Sequence, residues 1–143
     1  MYLPATNKNL LGYEAQEVSL ESLSPMVPKD GTDKFSKKIL SSVAAQGLYN
    51  PLIAIQYDPD FVDKITINLE WWGHIFRNMK ESTLCVYCGC NRLWAAETLG
   101  FTSIDCIVLD EYVESNIFRL ETECRFNSNW MPREFTEGIA YVS

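Results

Sequence analysis

Basic residues are in short supply. Twelve Lys and Arg stand against nineteen Asp and Glu, leaving this 143-residue chain with a formal net charge of −7. Backbone binding to nucleic acid needs a basic face, so the balance argues against a charge-driven DNA or RNA binder. The local cluster Lys34, Lys37 and Lys38 reads as the solvated side of an amphipathic helix. No apolar run approaches the roughly 18 residues of a membrane span. Residues 1–13 lack the basic region and apolar block of a secretory signal, so the expected location is cytoplasmic. Histidine occurs once, at His74. The five cysteines are an odd number, which reads as reduced thiols and not as a disulfide framework. Internal repeats and low-complexity segments are missing as well.

What is there suits a globular chain. Apolar residues make up 47% and aromatics 13%, enough for one sizeable core, and residues 1–143 are expected to form a single domain. A short alternating strand at 17–20 is followed by Pro25 and Pro28, which are expected to break regular structure. A helix follows, capped by Thr32 or Asp33, with Phe35, Ile39, Leu40 and Val43 at helical spacing and Gly47 to end it. Residues 52–55 form an apolar strand suited to burial on both faces.

An aromatic-rich insertion at about 57–81 reads as a turn, an alternating strand at 64–69 and a short helix at 70–80 with Trp71, Trp72, Ile75 and Phe76. A strand at 84–87, a glycine turn, a helix at 91–99 and an apolar strand at 104–109 come next, then a helical tail from about 111 with a second helix start near Pro132. The order β, α, β, β, α, β, α, α predicts a small α/β (α+β) fold, a mixed sheet with flanking helices. The helix from Asn91 is expected to cross between strands with its N-terminus at the sheet edge, where ligands usually sit.

The most informative stretch is Cys88-Gly89-Cys90-Asn91-Arg92-Leu93-Trp94-Ala95-Ala96-Glu97. A strand that turns through glycine into a helix presents free N–H groups and a positive dipole end, which suits an anion. The Arg92 fork adds bidentate recognition of phosphate or carboxylate. Cys90, between the glycine and the arginine, is expected to be stabilised as a thiolate and so to be a candidate nucleophile. The alternatives are a small residue at a tight turn for Cys90 and a surface salt bridge to Glu97 or Asp110 for Arg92.

Three segments in order resemble the ParB/sulfiredoxin superfamily. They are the helix ending Gly47-Leu48-Tyr49-Asn50-Pro51-Leu52, the motif from Cys88 to Ala96, and Gly100-Phe101 running on through Ile104 to Asp110. Together they span residues 17 to 111. ParB proteins carry Gly-Glu-Arg-Arg at the motif and sulfiredoxins Gly-Cys-His-Arg. This chain reads Gly89-Cys90-Asn91-Arg92, with sulfiredoxin's cysteine but neither its histidine nor ParB's acid. The resemblance implies a nucleotide site, ATP or CTP with Mg2+, in which Gly89, Cys90, Asn91 and Arg92 cradle the phosphates and Asn50 and Pro51 shape the opposite wall. On the sulfiredoxin side it implies Cys90-dependent catalysis.

The tail offers candidates for a ParB-like Glu-Asn-x-x-Arg box at 114–119 or 121–125, followed by Pro132-Arg133-Glu134, but neither box fits without a gap. The helix-turn-helix DNA reader of ParB proteins is not expected after Ser143, so chromosome partition is not the expected role. Short ParB-like proteins of phages and mobile elements, often labelled nuclease-like, are the nearer analogy.

The remaining features have both a structural and a functional reading. Cys85 and Cys88 resemble half of a zinc knuckle, but His74, Cys106 and Cys124 make no second pair, and alternation along a strand would send Cys85 and Cys88 to opposite faces. No metal site is expected from protein ligands. His74 reads first as a structural histidine, and Asp58, Asp60 and Asp63 as turn residues. Trp71, Trp72 and Phe76 are either core aromatics or a protein-partner surface, which would make the domain an interaction scaffold without catalysis.

Overall fold

The computed structural model describes residues 1–56, 84–110 and 114–125. Eight strands, three α-helices and one 3-10 turn make up that part. They are β1 (Tyr2–Leu3), β2 (Asn9–Leu10), β3 (Tyr13–Glu14), β4 (Gln16–Ser19), a 3-10 turn (Leu20–Ser22), β5 (Leu23–Pro25), α1 (Lys34–Gln46), β6 (Leu52–Gln56), β7 (Leu84–Cys88), α2 (Cys90–Thr98), β8 (Ser103–Leu109) and α3 (Glu114–Arg125). The expected strand at 64–69, the helix at 70–80 with Trp71, Trp72, His74 and Phe76, and the helix start near Pro132 lie outside the described residues.

The sheet is mixed, as the order of elements predicted. Its path is β1-β8-β6-β7-β5, with β4 also paired to β8. β6 runs parallel to β8 and antiparallel to β7, while β5 runs parallel to β7. Both faces are covered, which explains the continuous apolar run at 52–55. Leu52, Ala54, Val86, Ile104 and Cys106 face α1 and α2, where they meet Ile39, Val43, Leu93, Ala95 and Ala96. Ile53, Ile55, Cys85, Tyr87, Ile107 and Leu109 face the other way, toward Ile117, Leu120 and Cys124 of α3 and Leu10 of the β2–β3 hairpin. The Tyr87 hydroxyl donates to Ile117 O (3.2 Å) and Asn116 Nδ2 donates to Tyr13 Oη (2.8 Å), so α3 is tied both to the sheet and to the hairpin.

The first thirty residues hold more sheet than expected. β1 adds to β8 through Tyr2↔Ser103 and Leu3↔Ile104. β5 runs into Pro25, which sits on an edge strand where its missing N–H costs no ladder bond. Of the two proposed caps for α1, Asp33 is the one used, with its Oδ1 accepting from Ser36 N (2.7 Å).

Asp105 is a buried carboxylate on β8 that holds the N-terminal segment. It accepts from Ala5 N (2.8 Å), the Tyr2 hydroxyl and Lys8 Nζ. Burial alone would raise its pKa, but the bonds from Lys8, Tyr2 and Ala5 outweigh burial and hold it below the ordinary carboxylate value. A carboxylate whose folded pKa lies below its unfolded value, about 3.9, stabilises the fold fully above that pH and loses the contribution as pH falls through the folded pKa. Asp105→Asn is therefore expected to be less stable than wild type at neutral pH, with the two denaturation midpoints converging below about pH 4. A gap that stays constant down to pH 2 would contradict this role.

Candidate functional site

The register of the sheet builds the site. Ile53 of β6 pairs with Cys88 at the end of β7, which lays residues 50–52 beside the turn at Gly89. The chain leaves β7 through Gly89 at φ 106° and ψ 25° and enters α2, with Leu93 N donating to Gly89 O (2.8 Å). The turn has no room for a side chain. A Cβ on Gly89 would stand 2.5 Å from Leu52 Cδ2 and 2.8 Å from Arg92 Nη2. No side chain caps α2 and its first turn carries no acidic residue, so the positive end of its dipole has no carboxylate partner in the helix itself.

The first turns of α1 and α2 lie side by side. Ser36 Oγ is 2.7 Å from Asn91 Oδ1 and 2.9 Å from Asp33 Oδ2. Asp33 serves the end of α1, and the Ser36 backbone N–H, its strongest partner, holds its pKa below the usual range. Lys29, on the loop before α1, lies near enough to act on both Asp33 and Cys90.

Arg92 does not face outward from this turn. It is 3% exposed, folded beneath the glycine. Nη1 donates to Asn50 O (2.6 Å) and Pro51 O (3.3 Å), and Nη2 donates to Cys124 Sγ (2.8 Å). The expected surface salt bridge to Glu97 or Asp110 is corrected, because the neighbouring carbonyls and Cys124 of α3 take up its fork. Asn50 and Pro51 are likewise buried, with their carbonyls on the Arg92 fork beneath the turn. The Asn50 side chain accepts from Asn7 Nδ2 (3.1 Å) and donates to Cys124 O (3.4 Å), joining the N-terminal segment to the end of α3.

Cys90 is also corrected in its chemistry. Its pKa is raised: burial outweighs the N–H groups of Val27 and Met26 and the charges of Lys29 and Arg92, all of which favour the thiolate. The thiol donates to Val86 O (3.3 Å). The sulfur whose pKa falls is Cys124. The Cys88 thiol hydrogen-bonds to it, and the Arg92 guanidinium adds charge and a second bond that together overcome burial. Cys88 moves the opposite way, raised because its proton is held toward Cys124.

Sequence reasoning missed Cys124. Its link to Arg92 crosses 32 residues of chain and no local spacing announces it. Alternation also misplaced Cys88, which joins Cys85 on the α3 side of the sheet at the end of β7, close to where the β6 pairing shifts register. Among the described residues, no group of three or more His, Cys, Asp or Glu is arranged to hold a metal ion. Nor is any helix among them long and apolar enough to cross a membrane.

A separate cleft of about 470 Å³ is lined by Ser19, Leu20, Glu21, Glu97, Phe101 and Thr102. It lies at the C-terminal end of α2, away from Gly89. Burial raises the pKa of Glu97 there.

Neither a protein-family model nor a curated protein sequence matches the chain. Solved structures do. The chain is similar to a sulfiredoxin from Arabidopsis thaliana at 20% identity and a TM-score of 0.44, over 74% of this chain and 96% of that one. It is also similar to a conserved hypothetical protein from Pyrococcus furiosus at 14% identity and a TM-score of 0.47, over 77% of this chain. The match spans 36% of that longer protein. At these identities and scores the likeness says nothing of activity.

Proposed function

We propose that the chain is a nucleotide-binding domain that takes the phosphates of ATP or CTP at the turn from Gly89 to Arg92. The observation that supports this reading is the N-terminus of α2. It begins at a glycine with no room for a side chain, lacks an acidic residue in its first turn, and lies beside the first turn of α1. Such an end offers N–H donors and a positive dipole to an anion. In this arrangement the amides of Cys90 and Asn91 hold phosphate oxygens, and Lys29 adds positive charge from the loop above.

Arg92 acts from below. By fixing Asn50, Pro51 and Cys124 it sets the position of the turn and leaves phosphate contact to others. The first turn of α2 supplies no carboxylate, so Mg2+ would be carried by the phosphates and water, as this ion commonly is. Nucleophilic chemistry at Cys90 is not part of the proposal, because burial holds that sulfur as a thiol.

Calorimetry with Mg-ATP and Mg-CTP tests the reading. Wild type is expected to bind at least one of them below millimolar concentration. Asn91→Asp places a negative charge at the helix end, where it suits the dipole but repels phosphate. It should weaken binding at least tenfold while leaving the unfolding midpoint unchanged or higher. Failure of wild type to bind either nucleotide at millimolar concentration would sink the proposal.

A further inference from the structure

The loop from Met26 to Asp33, between β5 and α1, is tied at both ends to the first turn of α2. At its start Met26 N donates to Val86 O (2.8 Å), the carbonyl that also accepts the Cys90 thiol (3.3 Å). At its end Asp33 accepts from Ser36 N (2.7 Å) and Ser36 Oγ (2.9 Å), and Ser36 Oγ lies 2.7 Å from Asn91 Oδ1. Between these anchors the loop meets Trp94, which follows Cys90 by about one helical turn. A Cβ on Gly31 would stand 2.2 Å from Cζ2 and 2.7 Å from Cη2 of Trp94. Gly31 therefore rests directly on the indole, at a φ of 80° that glycine adopts without strain.

We propose that residues 26–33 form a strap closed over the first turn of α2, that the seat of Gly31 on the Trp94 indole is its latch, and that this latch controls access to the turn.

The middle of the strap is built to move. Val27 is 41% exposed, and Pro28, Asp30 and Thr32 are exposed as well. Thr32 N (3.0 Å) and Thr32 Oγ1 (2.8 Å) both donate to Asp30 Oδ1, bonds that shape the loop without tying it to α2. Segments with little buried surface open at far lower cost than a core. Trp94, by contrast, is packed on the core cluster beneath α1 and α2, so the indole holds still and the strap is the part that gives way. Lys29 lies between the two anchors, so its charge travels with the strap. A bound anion would favour the closed form, because it meets that charge only when the strap is seated. This last consequence rests on the phosphate reading; the latch itself does not.

Cys90 reports on the latch. It is the one thiol of the five that is not fully buried, and it shares Val86 O with the first anchor of the strap. The experiment is alkylation of the whole folded chain by iodoacetamide at fixed pH, without nucleotide, with each cysteine read by peptide mass spectrometry. Gly31→Ala puts a methyl group where the indole stands. It is expected to speed alkylation of Cys90 by about tenfold or more and to leave the buried Cys85 and Cys106 unchanged. Trp94→Phe removes Cζ2 and Cη2 with the strap's own sequence intact, and should speed it by about threefold or more. Gly100→Ala carries similar backbone strain, at a φ of 85°, with open space at its Cβ, and should leave Cys90 at the wild-type rate. Wild-type rates at Cys90 in both Gly31→Ala and Trp94→Phe would overturn the proposal. So would a rise at all cysteines together, which would make Gly31 a support of the whole fold and not a latch. With no nucleotide present, the phosphate reading can fail while the latch holds, and the reverse.

Discussion

Arg92→Met is expected to destabilise the domain by about 3–5 kcal/mol, read as a shift in the denaturant midpoint at unchanged slope. Methionine keeps most of the apolar stem but supplies no donor. The Asn50 and Pro51 carbonyls lose a charged donor, and a hydrogen bond to a charged group contributes about 1.5–3 kcal/mol. Cys124 also loses its guanidinium, but sulfur is a weak acceptor, so the two carbonyls account for most of the loss. Against a total stability at the lower end of the typical range, about 5 kcal/mol, this is enough to leave a substantial fraction unfolded at physiological temperature. An exposed arginine in a surface ion pair would cost about 1 kcal/mol or less. A loss of that smaller size would mean that Arg92 is not the buried post described above.

Gly89→Ala is the second large effect, at about 2–4 kcal/mol. One part is backbone strain, since a φ of 106° is one that residues with a Cβ rarely adopt. The other is steric, because the new methyl would meet Leu52 Cδ2 at 2.5 Å and the Arg92 guanidinium at 2.8 Å. Overpacking a close-fitted site costs about 1–3 kcal/mol. Gly100→Ala separates the two parts. Gly100 has a φ of 85° but nothing within 4 Å of its Cβ position, so it pays for strain alone. Denaturant unfolding of both variants should show Gly89→Ala lower by more than 1 kcal/mol. Equal losses would show that the turn has slack that the structure does not display.

The elements that could be read from the sequence are those that carry their own signal. β6 shows as an apolar run because both of its faces are covered, and α1 shows through its cap, its spacing and its terminal glycine. α2 shows through the glycine ahead of it. The short strands do not announce themselves, because β1, β2, β3 and β5 have two or three residues each and no period to detect. β1 is a strand only because β8, a hundred residues later, offers it an edge. Pro25 pointed away from regular structure, and the edge position of β5 removed the objection.

The candidate site divides in the same way. Its location was legible, since strand, glycine and helix are contiguous. The direction of Arg92 was not, since it depends on a β6–β7 register that lays Asn50 and Pro51 beneath the turn and on a helix that brings Cys124 to the same side. Asp105 drew attention only as part of an apolar strand, yet it anchors Tyr2, Ala5 and Lys8.

These corrections narrow the proposed role of the turn. A phosphate held there would rest on backbone amides and a lysine, with the arginine as their support.

Amide chemical shifts of the 15N-labelled protein, followed while Mg-ATP and then Mg-CTP are added, test this most directly. The account predicts saturable shifts that are largest at Cys90 and Asn91, with smaller ones at Lys29 and Ser36. Shifts centred on Ser19, Glu97 and Phe101 at the far end of α2, or none at millimolar nucleotide, would contradict it.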